Sequence, residues 1–319
     1  LTLLEIKRLH HPLAAEFKKT EPIVLALGFF DGVHRGHQAV IREAAAEAKK
    51  RGIKCAVMTF DPHPSMVLSK VKKTVKYLTP LAQKGDEMAK LGVDILYVTR
   101  FTSHFSSLLP EEFVQQYISE LGAVHVVAGF DYSYGKFGAG KMEQLAEYGN
   151  GQFEVTTVGK LSDMNDKVSS TVIRRYLNEG DMEAVTKLLG RPYETKGTVI
   201  HGDKRGRTIG FPTANILTDH DLMLPPIGVY ATRILVNGVC YESMTSVGYN
   251  ITFKDEKILS TEVYILDFND QIYGEEVIIE WHKYFRPELK FNGIEGLVEQ
   301  LKLDEINTRD FFNGQSKDN

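Results

Sequence analysis

His34 and His37 stand three residues apart in the stretch LALGFFDGVHRGHQAVI, Leu25 to Ile41, where an apolar run passes through glycines into a helix-forming pattern. A strand-to-helix turn at the carboxyl edge of a parallel sheet offers free backbone N–H groups and a positive helix end, which suits phosphate. Gly28, Gly32 and Gly36 let the chain turn and approach an anion closely. The two imidazoles can donate hydrogen bonds to phosphate oxygens as charge moves during transfer. On this reading the turn holds a triphosphate. A bare His-x-x-His is also compatible with zinc ligation, although a third and fourth ligand are not evident nearby, or with ordinary polar turn residues.

Three more segments of the same half carry candidate groups. In TFDPHPS, Asp61 and His63 project from the sheet edge that carries His34; either Asp61 helps to hold Mg2+ or orient substrate, or Pro62 and Pro64 simply stop the strand. The segment GFDYSYGKFGAGK contains Gly-x-x-x-x-Gly-Lys from Gly135 to Lys141, but Met142 stands where a P-loop needs Ser or Thr for magnesium, and a P-loop is disfavoured. Its glycines and aromatics suit a loop around a flat ring or a surface hairpin. In KVSSTVIRRYL, Ser169, Ser170 and Thr171 begin and cap a helix, and Arg174 one turn in either clamps a transferred phosphate or merely follows an N-cap.

A second cluster lies far along the chain. Between Lys196 and Ile216, Gly197, Gly202, Gly206 and Gly210 surround three basic residues, Lys204 among them, in a loop fit to wrap phosphates or to serve as a flexible β-connection. Thr213 and Asn215, two apart in PTAN, share a face if extended and present oxygens to a hard cation such as Mg2+. Glu262, in STEVYILDF, is either a carboxylate that accepts a hydroxyl proton during phosphoryl transfer or an ordinary exposed strand glutamate.

These groups need scaffolds of two kinds. From Ile23 to about Gly159, continuous apolar runs alternate with helical patterns, which implies a parallel sheet covered on both faces, a Rossmann-like α/β half. Beyond the helical stretch ending at Gly190 and Pro192, mixed strands follow with turn signals such as Asn237-Gly238, which reads as an antiparallel barrel or sandwich. The C-terminal segment returns to helical spacing, with Leu297, Leu301 and Ile306 among the apolar positions expected to pack on the barrel. The boundary falls near residue 186, giving domains 1–186 and 187–319, a division that suits 319 residues.

Composition narrows the function classes. Hydrophobic residues at 43% and charged residues at 25% are those of a globular protein. A net charge of −4 argues against a protein that neutralises a nucleic-acid backbone, and the run Lys70–Lys76 reads as a solvated face. Only Cys55 and Cys240 are present, each in an apolar run, so no disulfide framework or thiolate metal site is expected, and a reducing, cytoplasmic setting fits. No apolar run nears the ~20 residues that span a bilayer, so no membrane partner is expected.

Taken together, GFFDGVHRGH, TFDPHPS, GFDYSYG and KVSSTVIR resemble, in this order, the FMN adenylyltransferase module of prokaryotic bifunctional riboflavin kinase/FAD synthetases, within the His-x-Gly-His nucleotidyltransferase superfamily. GTVIHGDKRGRTIGFPTAN, SVGYNITF, TEVYILDF and YFRPELKF resemble the riboflavin kinase domain. The resemblance implies an α/β Rossmann-like nucleotidyltransferase domain followed by an antiparallel β-barrel domain with a C-terminal helix. It implies two Mg2+-dependent reactions: riboflavin plus ATP to FMN in the barrel, and FMN plus ATP to FAD and pyrophosphate in the first domain.

By motif position the family implies that His34, His37 and Arg174 are catalytic in the first domain, with Gly28, Phe30, Asp31, Gly36, Asp61, Asp131, Ser170 and Thr171 binding nucleotide or flavin. In the second it implies Glu262 as general base, Thr213 and Asn215 as Mg2+ and phosphate ligands, and Gly197, Lys204 and Gly210 as nucleotide contacts. Two positions depart from patterns common in the family: Ile251 stands where many members have proline, and Asp131 where some have asparagine.

Overall fold

The run Ile23–Leu27 is buried at every position, so the first half needs a layer of structure on each side of it. In the computed structural model, which describes residues 4–18, 21–69, 74–163, 166–202, 205–251 and 257–315, the chain divides into two compact units, Leu1–Ser170 and Thr171–Asn319. The first unit runs β1 (Glu5–Leu9), β2 (Ile23–Leu27), α1 (Arg35–Arg51), β3 (Lys54–Asp61), α2 (Pro64–Leu68), α3 (Leu81–Lys90), β4 (Ile95–Arg100), α4 (Ser103–Ser106), α5 (Pro110–Val114) and β5 (Ala123–Gly129). A small hairpin follows, β6 (Ser133–Tyr134) and β7 (Gly140–Lys141), then α6 (Met142–Gly149), β8 (Glu154–Val158) and a second hairpin, β9 (Ser162–Asp163) with β10 (Asp166–Lys167).

The main strands form one parallel sheet in the order β1-β4-β3-β2-β5-β8. Alternate residues of β2 serve its two faces. Ile23, Leu25 and Leu27 join Met58, Tyr97 and Val126 in one packed cluster, while Val24 and Ala26 join Val57, Leu96 and the α1 residues Val40, Ile41, Ala44 and Ala48 in another. The sequence reading starts the sheet at Ile23, and the structure adds β1 before it. Its sequence EIKRL, mostly exposed and charged, is legible as a strand only once β4 lies beside it, because an edge strand tolerates charge that a central strand does not.

The second unit takes up all of α7 (Ser170–Glu179) but its first residue, and then α8 (Met182–Leu189), β11 (Tyr193–Ile200), α9 (Arg205–Thr208), β12 (Ala214–Thr218), β13 (Gly228–Val236), β14 (Val239–Ile251), β15 (Lys257–Ile265), β16 (Glu276–Arg286) and α10 (Ile294–Gln315). Six strands close an antiparallel barrel in the order β11-β12-β15-β14-β13-β16, and α8 packs on β11 and β16. Asn237 and Gly238, at φ 50° and 82°, make the expected two-residue turn between β13 and β14. Inside the barrel, Trp281 Nε1 donates to Thr195 Oγ1 at 2.9 Å, so the largest buried side chain leaves no polar atom unpaired there.

The face that α10 presents differs from expectation. Ile306 is 54% exposed, and the buried positions are Asp304, Thr308 and Phe312, one helical face at spacing i, i+4, i+8. Burying Asp304 is made possible by Arg286 of β16, whose Nε lies 3.0 Å from Asp304 Oδ1.

Candidate active sites

Because β2, β3 and β5 are parallel neighbours, the turns that follow them open at one edge of the sheet. The rings of Phe29 and His63 meet edge-on at 4.4 Å, joining the first turn to the second. His34 is the N-cap of α1, its Nδ1 accepting from the His37 backbone N–H at 3.2 Å. An Nδ1 that accepts leaves the proton of a neutral ring on Nε2, the tautomer able to donate to a phosphate oxygen. The two imidazoles stack at 3.5 Å, and the edge of Phe30 closes on His37 at 5.3 Å.

Phe30 reaches that position through a left-handed backbone, φ 56°, which turns its ring back over Gly28. A Cβ at residue 28 would lie 2.7 Å from the ring, so the glycine is required by this close approach. The Asp31 carboxylate points inward and accepts from the backbone amides of Leu78 and Thr79 at 3.2 and 3.1 Å. Gly36 packs against the His34 ring in the first turn of α1. Ser170 donates through Oγ to the Asp31 carbonyl at 2.8 Å, tying the end of the unit to the histidine turn.

Burial takes His34 down to about 4, with Lys167 lowering it further and Asp131 opposing. Burial also holds His37 well below the usual imidazole range, reinforced by His34, Lys84 and Lys167. Both rings are therefore neutral donors at neutral pH. The buried Nδ1 of His37 has no protein hydrogen-bond partner. In the unfolded chain His34 titrates near 6.5, so between pH 6.5 and about 4 the unfolded state binds the extra proton and stability falls as pH falls. The expected loss is roughly 2 kcal/mol by pH 5 from His34 alone, measured by denaturant unfolding. His34→Asn, which keeps the cap, is expected to remove that part of the slope.

The remaining candidates of this half take several positions. Asp61 ends β3 and pairs with Arg100 at 3.3 Å, and Asp131 is half-exposed and ion-paired with Lys167. Arg35, between the histidines, pairs with Asp163 of β9. Tyr132 and Tyr134 pack into the core, so the glycine-rich segment is a hairpin anchored by its aromatics. Thr171 and Arg174 lie in α7, in the second compact unit, where Arg174 Nη1 is 3.6 Å from Met223 Sδ.

The barrel gathers the second set. Asn215 of β12 faces Glu262 of β15 across the ladder, and Thr213 Oγ1 donates to Glu262 Oε2 at 3.2 Å. The connection after β11 passes so close to Asn215 that a Cβ at Gly202 would lie 2.1 Å from its Nδ2. Gly197 lies in β11 opposite Thr218, and Gly210 turns at φ 86° just before Phe211. A cavity of about 290 Å³ opens beside Thr213, bordered also by Arg207, Val263, Phe268, Asp270 and Tyr273. Phe268 closes the motif TEVYILDF, whereas residues 269–273 carry no motif in the sequence. Lys204, most of the run Lys70–Lys76 and residues 252–256 lie outside the described residues.

Fold and sites together define an α/β nucleotidyltransferase-like unit joined to a phosphotransferase-like β-barrel. Residues 16–172 match the family model for FAD synthetase, and residues 189–312 that for riboflavin kinase. A Listeria monocytogenes protein named bifunctional riboflavin kinase/FMN adenylyltransferase is 60% identical over 304 residues, covering 95% of this chain and 97% of the relative. A Bacillus subtilis protein of the same name is 45% identical, covering 98% and 99%. A solved structure described as a macrolide-efflux protein from Streptococcus pneumoniae superposes with TM-score 0.87 at 36% identity, covering 96% of this chain and 99% of that one. The chain belongs to the bifunctional riboflavin kinase/FMN adenylyltransferase family. Among the described residues, no helix is long and apolar enough to cross a membrane.

Proposed function

We propose that this chain performs two successive ATP-dependent reactions on a flavin, and that the residues gathered above carry them. Riboflavin is phosphorylated in the barrel to give FMN and ADP, and FMN is adenylylated in the first unit to give FAD and pyrophosphate. The observation that carries the reading is that one relative matches both halves together, 60% identical over 95% of the chain, while His34, His37, Thr213, Asn215 and Glu262 all stand at their motif positions.

In the kinase step Glu262 accepts the proton of the riboflavin 5′-hydroxyl as its oxygen attacks the γ-phosphorus and ADP leaves. The cavity beside Thr213 is a place for the nucleotide, with Thr213 between it and the Glu262 carboxylate. The hydroxyl of Thr213, the amide oxygen of Asn215 and the phosphate oxygens are hard donors suited to Mg2+, which would neutralise phosphate charge when bound. In the adenylyl step an FMN phosphate oxygen attacks the α-phosphorus directly and pyrophosphate leaves, so the protein supplies position and charge stabilisation. His34 and His37 donate to the triphosphate as neutral imidazoles. Arg174 is assigned phosphate neutralisation from the family motif alone, and the domain limits 1–186 and 187–319 are placed where the helical pattern gives way to mixed strands.

The test is chromatography of the protein incubated with Mg2+-ATP and either riboflavin or FMN. FMN from the first tube and FAD from the second are expected. Binding of either flavin without turnover would overturn the reading.

A further inference from the structure

Lys84 lies in α3 and is 3% exposed, an unusual place for an ammonium group. Its Nζ donates to the Phe29 carbonyl at 2.9 Å and to Thr59 Oγ1 at 3.3 Å, and sits 4.4 Å from the centre of the Phe29 ring. Thr59 of β3 donates its own hydroxyl to the same carbonyl at 2.8 Å. Two donors from two elements thus converge on one oxygen, immediately before the left-handed Phe30 that packs on His37. A methionine would fill the same space without the cost of burying a charge. What the lysine adds is a fixed peptide plane and a positive charge behind the histidine turn.

We propose that Lys84 is a positioning residue of adenylyl transfer: it clamps the Phe29 carbonyl from inside the protein and so sets the reversal that aims the stacked His34 and His37 at the polyphosphate. The inference rests on the adenylyltransferase reading of that turn. Lys84 is buried and bonded to Phe29 and Thr59, so it acts through the turn and its effect falls on alignment in the transition state more than on nucleotide affinity. The charged groups acting on it are Asp31 and Asp61, which favour its ammonium form against the desolvation that takes it down to about 8. It in turn disfavours protonation of His37.

The experiment compares wild type, Lys84→Met and Thr59→Val in the full chain. For Lys84→Met, kcat for FAD formation from FMN is expected to fall on the order of 10²-fold, with KM for ATP within about threefold and FMN formation from riboflavin unchanged. The imidazole NMR resonances of His34 and His37 are expected to move in both variants, and Thr59→Val to lose several-fold in kcat. Adenylyl-transfer constants within about threefold of wild type, or a rise in KM alone, would overturn the proposal. If Lys84→Met fails to fold, Thr59→Val decides: an unchanged kcat overturns the proposal, and a lowered kcat at constant KM supports it. A wild type that forms no FAD removes the underlying reading instead; the resonances then decide, and unmoved signals in folded variants overturn the clamp.

Discussion

Glu262→Gln is expected to abolish FMN formation, lowering kcat on the order of 10²–10⁴-fold, while FAD formation from added FMN persists. The substitution is chosen because it keeps the shape of the site. A glutamine carbonyl oxygen still accepts from Thr213 Oγ1, as Glu262 Oε2 does at 3.2 Å, and the β12–β15 ladder that sets Asn215 opposite residue 262 is formed by backbone. What the amide cannot do is accept the 5′-hydroxyl proton of riboflavin. KM for ATP is therefore expected to stay within a few-fold. A folded Glu262→Gln protein that still makes FMN at a tenth of the wild-type rate would remove the general-base role. Equal loss of FMN and FAD formation would refute separate sites.

The legible parts of this molecule are those whose physics is local. Ile23–Leu27 and Ile95–Val98 announce central strands because every position is apolar, and Asn237-Gly238 announces its hairpin because both residues tolerate a left-handed backbone. The histidine turn is legible as glycines and imidazoles between a strand and a helix. Long-range pairing is what sequence hides. Asp304 is a polar helix residue until Arg286 arrives from β16, and the helix then turns Asp304, Thr308 and Phe312 inward and leaves Ile306 outside. Nothing local in the sequence marks Lys84 as buried, since its partners Phe29 and Thr59 are 55 and 25 residues away. The cavity wall at residues 269–273 has no signature because it exists only once the barrel has closed. Asp31 shows a subtler limit, since its motif suggests a ligand contact while its carboxylate holds the amides of Leu78 and Thr79.

His37→Ala is expected to reverse the pattern, lowering FAD formation from FMN on the order of 10²–10³-fold and leaving riboflavin phosphorylation intact. The choice of His37 over His34 follows from geometry. His34 caps α1 through Nδ1, so His34→Ala also removes about 1 kcal/mol of helix stability, and any loss of activity is then shared between chemistry and fold. His37 caps nothing. Its Nδ1 is buried with no protein partner, and its ring is held by the His34 stack and the Phe30 edge. Removing it therefore deletes a donor while leaving the helix start in place, at the cost of a cavity that His37→Gln largely fills. If neutral imidazole donation is the working chemistry, the alanine and glutamine variants both lose kcat, and the wild-type pH profile itself shows no imidazole limb near 6.5, because burial holds both rings neutral there. A glutamine variant that matches wild type would show that any neutral amide donor suffices at this position, and wild-type activity that falls as pH rises through an imidazole transition near 6.5 would show that a charged ring takes part.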